Sequence, residues 1–151
     1  MTEPTDMPDP ARIALRRRIE WMDTDAAGIY HWTSVFRLAE AAEAALHTAL
    51  GIADRTFGLT PRVAIEARFE RSLRFNDLVE VELSVLTVGR SSVRYALAVH
   101  GPDGTASRGA LTTCFIDRAS GRATPWPADI ARLLAGAGEQ SPTADRSEPA
   151  G

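Results

Sequence analysis

One change of hydrophobic period divides this chain. From Thr33 to Leu50 the apolar residues Val35, Leu38, Ala39, Ala42, Ala45, Leu46 and Ala49 share one stripe, with Arg37, Glu40, Glu43 and His47 to the other side. That three- and four-residue spacing is the mark of one amphipathic helix. From Arg62 to Asp117 the apolar residues alternate instead, which is strand spacing. A single helix must therefore cover the apolar face of everything that follows, and 151 residues hold one such core. The many alanines on the stripe predict a helix held close to a curved sheet.

The remaining elements fall around that helix. Ile13, Leu15, Ile19 and Trp21 alternate with polar residues and predict a first strand, with Arg17 in the apolar register. Arg16, Arg17 and Arg18 read as edge protection or a solvated face rather than a nucleic-acid patch. Thr33 or Ser34 is placed to cap the helix and Gly51 to end it. Val63, Ile65, Ala67, Phe69, Leu73 and Phe75 predict one long strand. Val79 to Val85, Val93 to Val99 and Leu111 to Ile116 predict three more, with a turn at Gly101-Pro102-Asp103-Gly104. Pro127 to Leu134 predicts a short closing helix. The sum is an α+β domain over residues 12–135, a five-stranded antiparallel sheet around one long helix. Residues 1–11 and 136–151, poor in apolar side chains, are expected to be disordered tails.

Composition removes several chemistries. All seventeen basic residues are Arg. Without Lys there is no Schiff-base mechanism, no Walker-type phosphate lysine and no Lys-assisted phosphotransfer. The single cysteine, Cys114, allows neither an intrachain disulfide nor a thiolate zinc cluster. A net charge of −3 gives no electrostatic reason to expect nucleic acid or an anionic membrane. The N-terminus has no basic-then-apolar signal pattern, so a cytoplasmic protein is expected.

The chemistry concentrates just ahead of the helix, in Trp21-Met22-Asp23-Thr24-Asp25-Ala26-Ala27-Gly28-Ile29-Tyr30-His31-Trp32. Asp23 and Asp25 precede a helix N-terminus, whose unpaired N–H groups and positive dipole end favour developing negative charge. A carboxylate next to such donors can serve acyl chemistry. The competing reading is an Asp-rich loop in which both side chains simply bond backbone amides.

In context, Asp23-Thr24-Asp25-Ala26-x-Gly28 ahead of a helix carrying Ser34 and Glu40 resembles the 4-hydroxybenzoyl-CoA thioesterase family, above all its Tol-Pal-associated acyl-CoA thioesterase branch. Gly89-Arg90-Ser91-Ser92, Cys114-Phe115-Ile116-Asp117 and Ser120-Gly121-Arg122 fit the same likeness, which spans roughly residues 12 to 134. It implies the hotdog fold and hydrolysis of an acyl-CoA or acyl-carrier-protein thioester. It also implies that Asp25 is the catalytic carboxylate, either nucleophile or general base. The thioester oxygen would meet backbone N–H groups at the helix start, with Trp32, His31 and Tyr30 as the matching positions. Asp23 and Gly28 would order the loop. No metal is implied, and no cofactor beyond coenzyme A as part of the substrate.

By the same resemblance, Arg90 contacts a coenzyme A phosphate and Ser91 and Ser92 lie near the pantetheine. Arg71, Arg74, Arg118 and Arg122 are further phosphate candidates. Trp21, Tyr30, Trp32 and Phe36 are candidates for the acyl pocket. His31 is either a residue near the thioester or a plain loop or interface histidine, and His47 and His100 are expected to have no catalytic part. The family pattern is broken where Tyr30-His31 stands one position early, where Val35 replaces a usual Tyr and where Glu43 replaces a common Arg. Those changes bear on the acyl pocket. Hotdog proteins form dimers or dimers of dimers with sites at subunit boundaries, which is the expected assembly. A hotdog dehydratase or hydratase and a non-catalytic acyl-CoA binding module are the rival readings. An Asp-x-Asp phosphatase is countered by the missing Lys and the antiparallel strands.

Overall fold

The computed structural model describes residues 8–143. Strand β1 (Arg12–Arg18) is followed by a single 3-10 turn at Trp21–Asp23, the helix α1 (Ser34–Ala49) and a one-turn helix α2 (Ala53–Thr56). Strands β2 (Arg62–Phe69), β3 (Leu78–Val88), β4 (Ser92–Gly101) and β5 (Gly104–Cys114) come next, then α3 (Ala128–Gly136) and a two-residue β6 (Glu139–Gln140). The sheet has six strands in the order β2-β5-β4-β3-β1-β6, one more than the sequence predicts. Every pairing is antiparallel except β1 with β6. A sheet wrapped on one long helix is the hotdog arrangement.

The helix forms where its stripe predicts. Val35, Leu38, Ala39, Ala42 and Leu46 are buried. Gly51, at φ +73, closes it: the Gly51 N–H reaches the Thr48 carbonyl and the Ile52 N–H the His47 carbonyl, both at 3.0 Å. This is the paired C-terminal motif that needs a left-handed residue after the last turn. His47, expected on the solvent side, is instead buried. Its ring bonds Thr56 Oγ1 at 2.7 Å and the Tyr95 hydroxyl at 2.8 Å, so its polar atoms are satisfied in the core. Burial lowers its pKa to about 4.

Three strand expectations change. Trp21 is 77% exposed, because the chain leaves β1 after Arg18 and turns. The long strand expected through Phe75 ends at Phe69, and residues 70–77 form a connection with Asn76 at φ +74. The expected C-terminal tail is partly ordered: β6 pairs with Arg12 and Ile13, and the buried Ala11 donates to the Leu134 carbonyl. Residues 1–7 and 144–151 of the expected tails lie outside the described residues. Among the described residues no helix is long and apolar enough to cross a membrane.

Helix α1 packs against β1 and β3, toward the end of the sheet away from β2. Register places Phe69 opposite Ser107 and Ile65 opposite Leu111, and these β5 residues pair in turn with Val99 and Tyr95 of β4. Val99 and Tyr95 are core, so Ile65 and Phe69 share the helix-facing side, yet they are 39% and 48% exposed. Strand β2 thus ends the sheet as an open edge with an uncovered apolar face.

Candidate active site

The loop from Glu20 to Thr33 is built around Asp23. Its carboxylate accepts the Glu20 N–H at 2.7 Å and a forked pair of bonds from Arg37, Nε to Oδ1 at 2.9 Å and Nη2 to Oδ2 at 2.6 Å. Its carbonyl accepts the His31 N–H at 2.6 Å. With side-chain exposure of 3%, Asp23 cannot reach a substrate. The Asp23 hydrogen bond is also the largest reason the Arg37 pKa is raised.

Asp25 stands at the tip of a tight turn instead. Its N–H donates to the Ile29 carbonyl at 3.0 Å and its carbonyl accepts the Gly28 N–H at 2.9 Å. Gly28 sits at φ +79, where a side chain would be strained. The Ala27 N–H donates to Asp25 Oδ1 at 2.8 Å, a local turn bond typical of Asp. The other carboxylate oxygen makes no hydrogen bond among the described residues. Asp25 is thus oriented by one oxygen and open at the other.

The turn forms one wall of an open cleft of about 370 Å³. Asp25, Ile29, Tyr30 and Trp32 line it from the loop, and Phe69 at the end of β2 with Glu70, Arg71 and Ser72 of the following connection line it from the other side. Tyr30 ties the two walls together: its N–H donates to the Leu73 carbonyl at 2.8 Å and its hydroxyl to the Ala106 carbonyl at 3.3 Å. Burial raises its pKa. Trp32 is 55% exposed and meets Phe36 edge-on at 5.5 Å.

The start of α1 lacks the cap expected of it. Thr33 Oγ1 bonds His31 Nδ1 at 2.7 Å and the Ser34 hydroxyl donates to the His31 carbonyl at 2.6 Å, so neither hydroxyl caps the helix amides. Among the described residues the Trp32 N–H has no acceptor. An unpaired donor at the positive end of a helix, on the rim of the cleft that holds Asp25, is suited to an oxyanion. His31 braces the turn into α1 and is not among the cleft residues.

Other candidates lie elsewhere. Trp21 belongs to a separate groove with Phe75, their rings 5.7 Å apart. Arg90, Ser91 and Ser92 form the β3–β4 turn, where the Arg90 carbonyl accepts the Trp126 N–H at 2.9 Å and the Ser91 carbonyl the Phe115 N–H at 2.6 Å. That turn is at the opposite end of the sheet from the cleft, about 30 Å away along ten residues of β4. Within one chain these residues do not meet Asp25. Glu80, Glu82 and His100 bring ligand atoms within 4.8 Å of one another, but on β3 the two acids alternate with buried Val79 and Val81 and so face away from the core.

Sequence reasoning missed the role of Arg37, the half-buried ion pair of Glu43 with Arg62 at 3.1 Å, and the cleft wall at residues 69–72, of which it singled out only Arg71, as a phosphate candidate. Burial is the first cause of the raised Glu43 pKa, which Arg62 partly offsets. None of these contacts has a local spacing that would reveal it.

A comparison with protein-family models matches residues 19–134 to the thioesterase-like superfamily. A comparison with curated proteins finds no match. Among solved structures, a predicted thioesterase from Bacillus stearothermophilus superposes with a TM-score of 0.75 at 19% identity, over 82% of this chain and 93% of that one. The BH1999 gentisyl-coenzyme A thioesterase gives 0.71 at 22% identity, over 82% and 99%. A thioesterase from Thermus thermophilus, complexed with coenzyme A and Zn, gives 0.73 at 21% identity, over 80% and 95%. Identities of this order establish a shared fold.

Proposed function

The chain belongs to the thioesterase-like superfamily, and on that premise we propose that it is a cytoplasmic enzyme that hydrolyses acyl-CoA thioesters in the cleft holding Asp25. One observation carries this reading: a carboxylate with one oxygen fixed by the Ala27 N–H and the other open shares a cleft with Trp32, whose N–H is unbonded at the start of α1. The thioester carbonyl oxygen would take that N–H while Asp25 attacks the carbonyl carbon, or activates a water that does. The thiolate leaving group has a pKa near that of Cys, about 8.5, so it departs without a strong acid. One carboxylate and one oxyanion donor suffice, and the reading requires neither metal nor cofactor.

The same reading needs a second copy of the chain. β2 runs from Arg62, beside Thr113 and Val93 in the sheet, to Phe69, beside Ser107. Antiparallel pairing of β2 with another β2 would bring the second copy's Arg62 end next to this chain's cleft. The second copy's Arg90, Ser91 and Ser92 would then lie about three strand spacings, or roughly 14 Å, from the cleft wall, within reach of an extended coenzyme A. Exposed Val63, Ile65 and Phe69 support such a contact, since long bare apolar edges are otherwise an aggregation hazard. The assembly we propose is a homodimer paired through β2, alone or within a dimer of dimers.

The aromatic side chains Tyr30, Trp32 and Phe69 suit a planar acyl group, and a neighbour of the same fold is a gentisyl-coenzyme A thioesterase. The test is free-thiol release across short, long and aromatic acyl-CoAs, with acyl carrier protein thioesters in parallel. Turnover of at least one above background supports the reading. No turnover of any contradicts it.

A further inference from the structure

We propose that Arg71 sets the substrate class of this cleft: an acyl-CoA whose acyl group carries its own acidic group, a terminal carboxylate or an equivalent oxyanion, bound by the Arg71 guanidinium. The inference rests on the thioesterase reading of the same cleft. Three charged side chains line it, Asp25, Glu70 and Arg71, and two are engaged. Asp25 holds the Ala27 N–H, and Glu70 faces Arg108 at 3.6 Å. Arg71 has no ion pair and no side-chain hydrogen bond among the described residues.

Its backbone is nevertheless anchored. The Arg71 and Glu70 N–H groups share the Ala106 carbonyl, at 3.2 and 2.8 Å. The side chain crosses Gly104, which sits at φ +119 in the β4–β5 turn. A Cβ there would stand 3.1 Å from Arg71 Nε and 3.7 Å from Cζ. Glycine thus makes a flat bed for the guanidinium without using any of its five N–H donors. A planar fork with its donors free matches a carboxylate, which it can bind through two parallel bonds.

The acidic partner belongs to the acyl group and not to coenzyme A. Arg71 lines the cleft in which Asp25 must touch the thioester carbon, whereas the pantetheine arm carries the phosphates far from that atom. Tyr30, Trp32 and Phe69 then cover the body of the acyl group, and Arg71 with Ser72 meets its polar end.

The test uses two size-matched pairs, glutaryl-CoA against valeryl-CoA and 4-carboxybenzoyl-CoA against 4-methylbenzoyl-CoA, on the full-length chain and on Arg71→Gln. The wild type should favour the acidic member of at least one pair in kcat/KM. Arg71→Gln should lower the acidic member about tenfold more than the neutral one, the loss expected for a charge-assisted hydrogen bond. A preference for the neutral member in both pairs overturns the proposal. So does an equal loss on both members, which would mean that Arg71 serves Asp25. Calorimetric binding of the same pairs to Asp25→Asn, with and without Arg71→Gln, separates the two readings. An Arg71-dependent preference in Kd without any hydrolysis by the wild type sustains the anion site and overturns the hydrolase. Hydrolysis without that preference does the reverse.

Discussion

Asp23 and Arg37 hold each other through two hydrogen bonds, at 2.9 and 2.6 Å, across the base of the loop whose tip carries Asp25. The carboxylate is 3% exposed and the guanidinium 38%. Arg37→Ala should leave a buried charge with only the Glu20 N–H to meet it, at a cost of about 2–3 kcal/mol. The open side of Arg37 keeps this below the loss for a fully enclosed pair. Urea unfolding measures it. At a temperature where the variant is folded, kcat should also fall, because the turn that orients Asp25 has lost its anchor. An unchanged midpoint with unchanged kcat would show that the pair does not hold the loop.

His47 predicts a pH dependence of stability. Its folded pKa lies near 4, below the unfolded value of 6.5, because burial disfavours the charged ring. The unfolded chain therefore takes up the proton first as pH falls. The contribution is complete above about 6.5 and is lost progressively between 6.5 and 4, amounting to roughly 3 kcal/mol for a shift of that size. Urea midpoints of wild type and His47→Gln between pH 7.5 and 4 isolate it. The difference between them should shrink on acidification, and a constant difference would show that the ring is not held neutral.

Gly109 of β5 lies opposite Ala67 of β2. A Cβ there would stand 2.2 Å from the Glu66 carbonyl oxygen, a backbone atom that cannot swing aside. Gly109→Ala should cost about 2–3 kcal/mol, measured by thermal unfolding, and should weaken self-association through β2.

The proposed pairing of two chains through β2, with each site shared between them, predicts complementation. Asp25→Ala supplies an intact Arg90 turn and Arg90→Ala supplies an intact Asp25. Each homogeneous variant should be impaired, while subunits mixed, unfolded and refolded together should regain activity in the hybrids. Val63→Asp with Ile65→Asp should abolish both the association, read by light scattering, and the rescue. A mixture no more active than its parts would place Arg90 outside the site.

Much of the fold was legible in the sequence because it rests on periodicity. The alanine stripe of α1 and the alternation of β3, β4 and β5 are local signals, and Gly51 stops the helix where a left-handed residue is needed. The exceptions are positions where tertiary partners override the pattern. Phe75 continues the alternation of β2 on paper, but pairing with β5 stops at Phe69 and the chain leaves the sheet there. The two-residue β6 is recruited by the backbone of β1 and has no apolar pattern to read. At the site, Asp23 and Asp25 are equivalent by spacing. What separates them is Arg37, a contact across fourteen residues that buries one acid and leaves the other at the tip. Likewise, only the register of β2 and β4 reveals that Arg90 and Asp25 sit at opposite ends of one chain.

We propose that the Asp25 carboxylate performs the hydrolysis. Its most direct test is kcat on the best acyl-CoA for wild type, Asp25→Asn and Asp25→Ala, with coenzyme A affinity measured on each. Both variants should fold, retain coenzyme A binding and lose kcat by at least about a hundredfold. Full kcat in Asp25→Ala would contradict it.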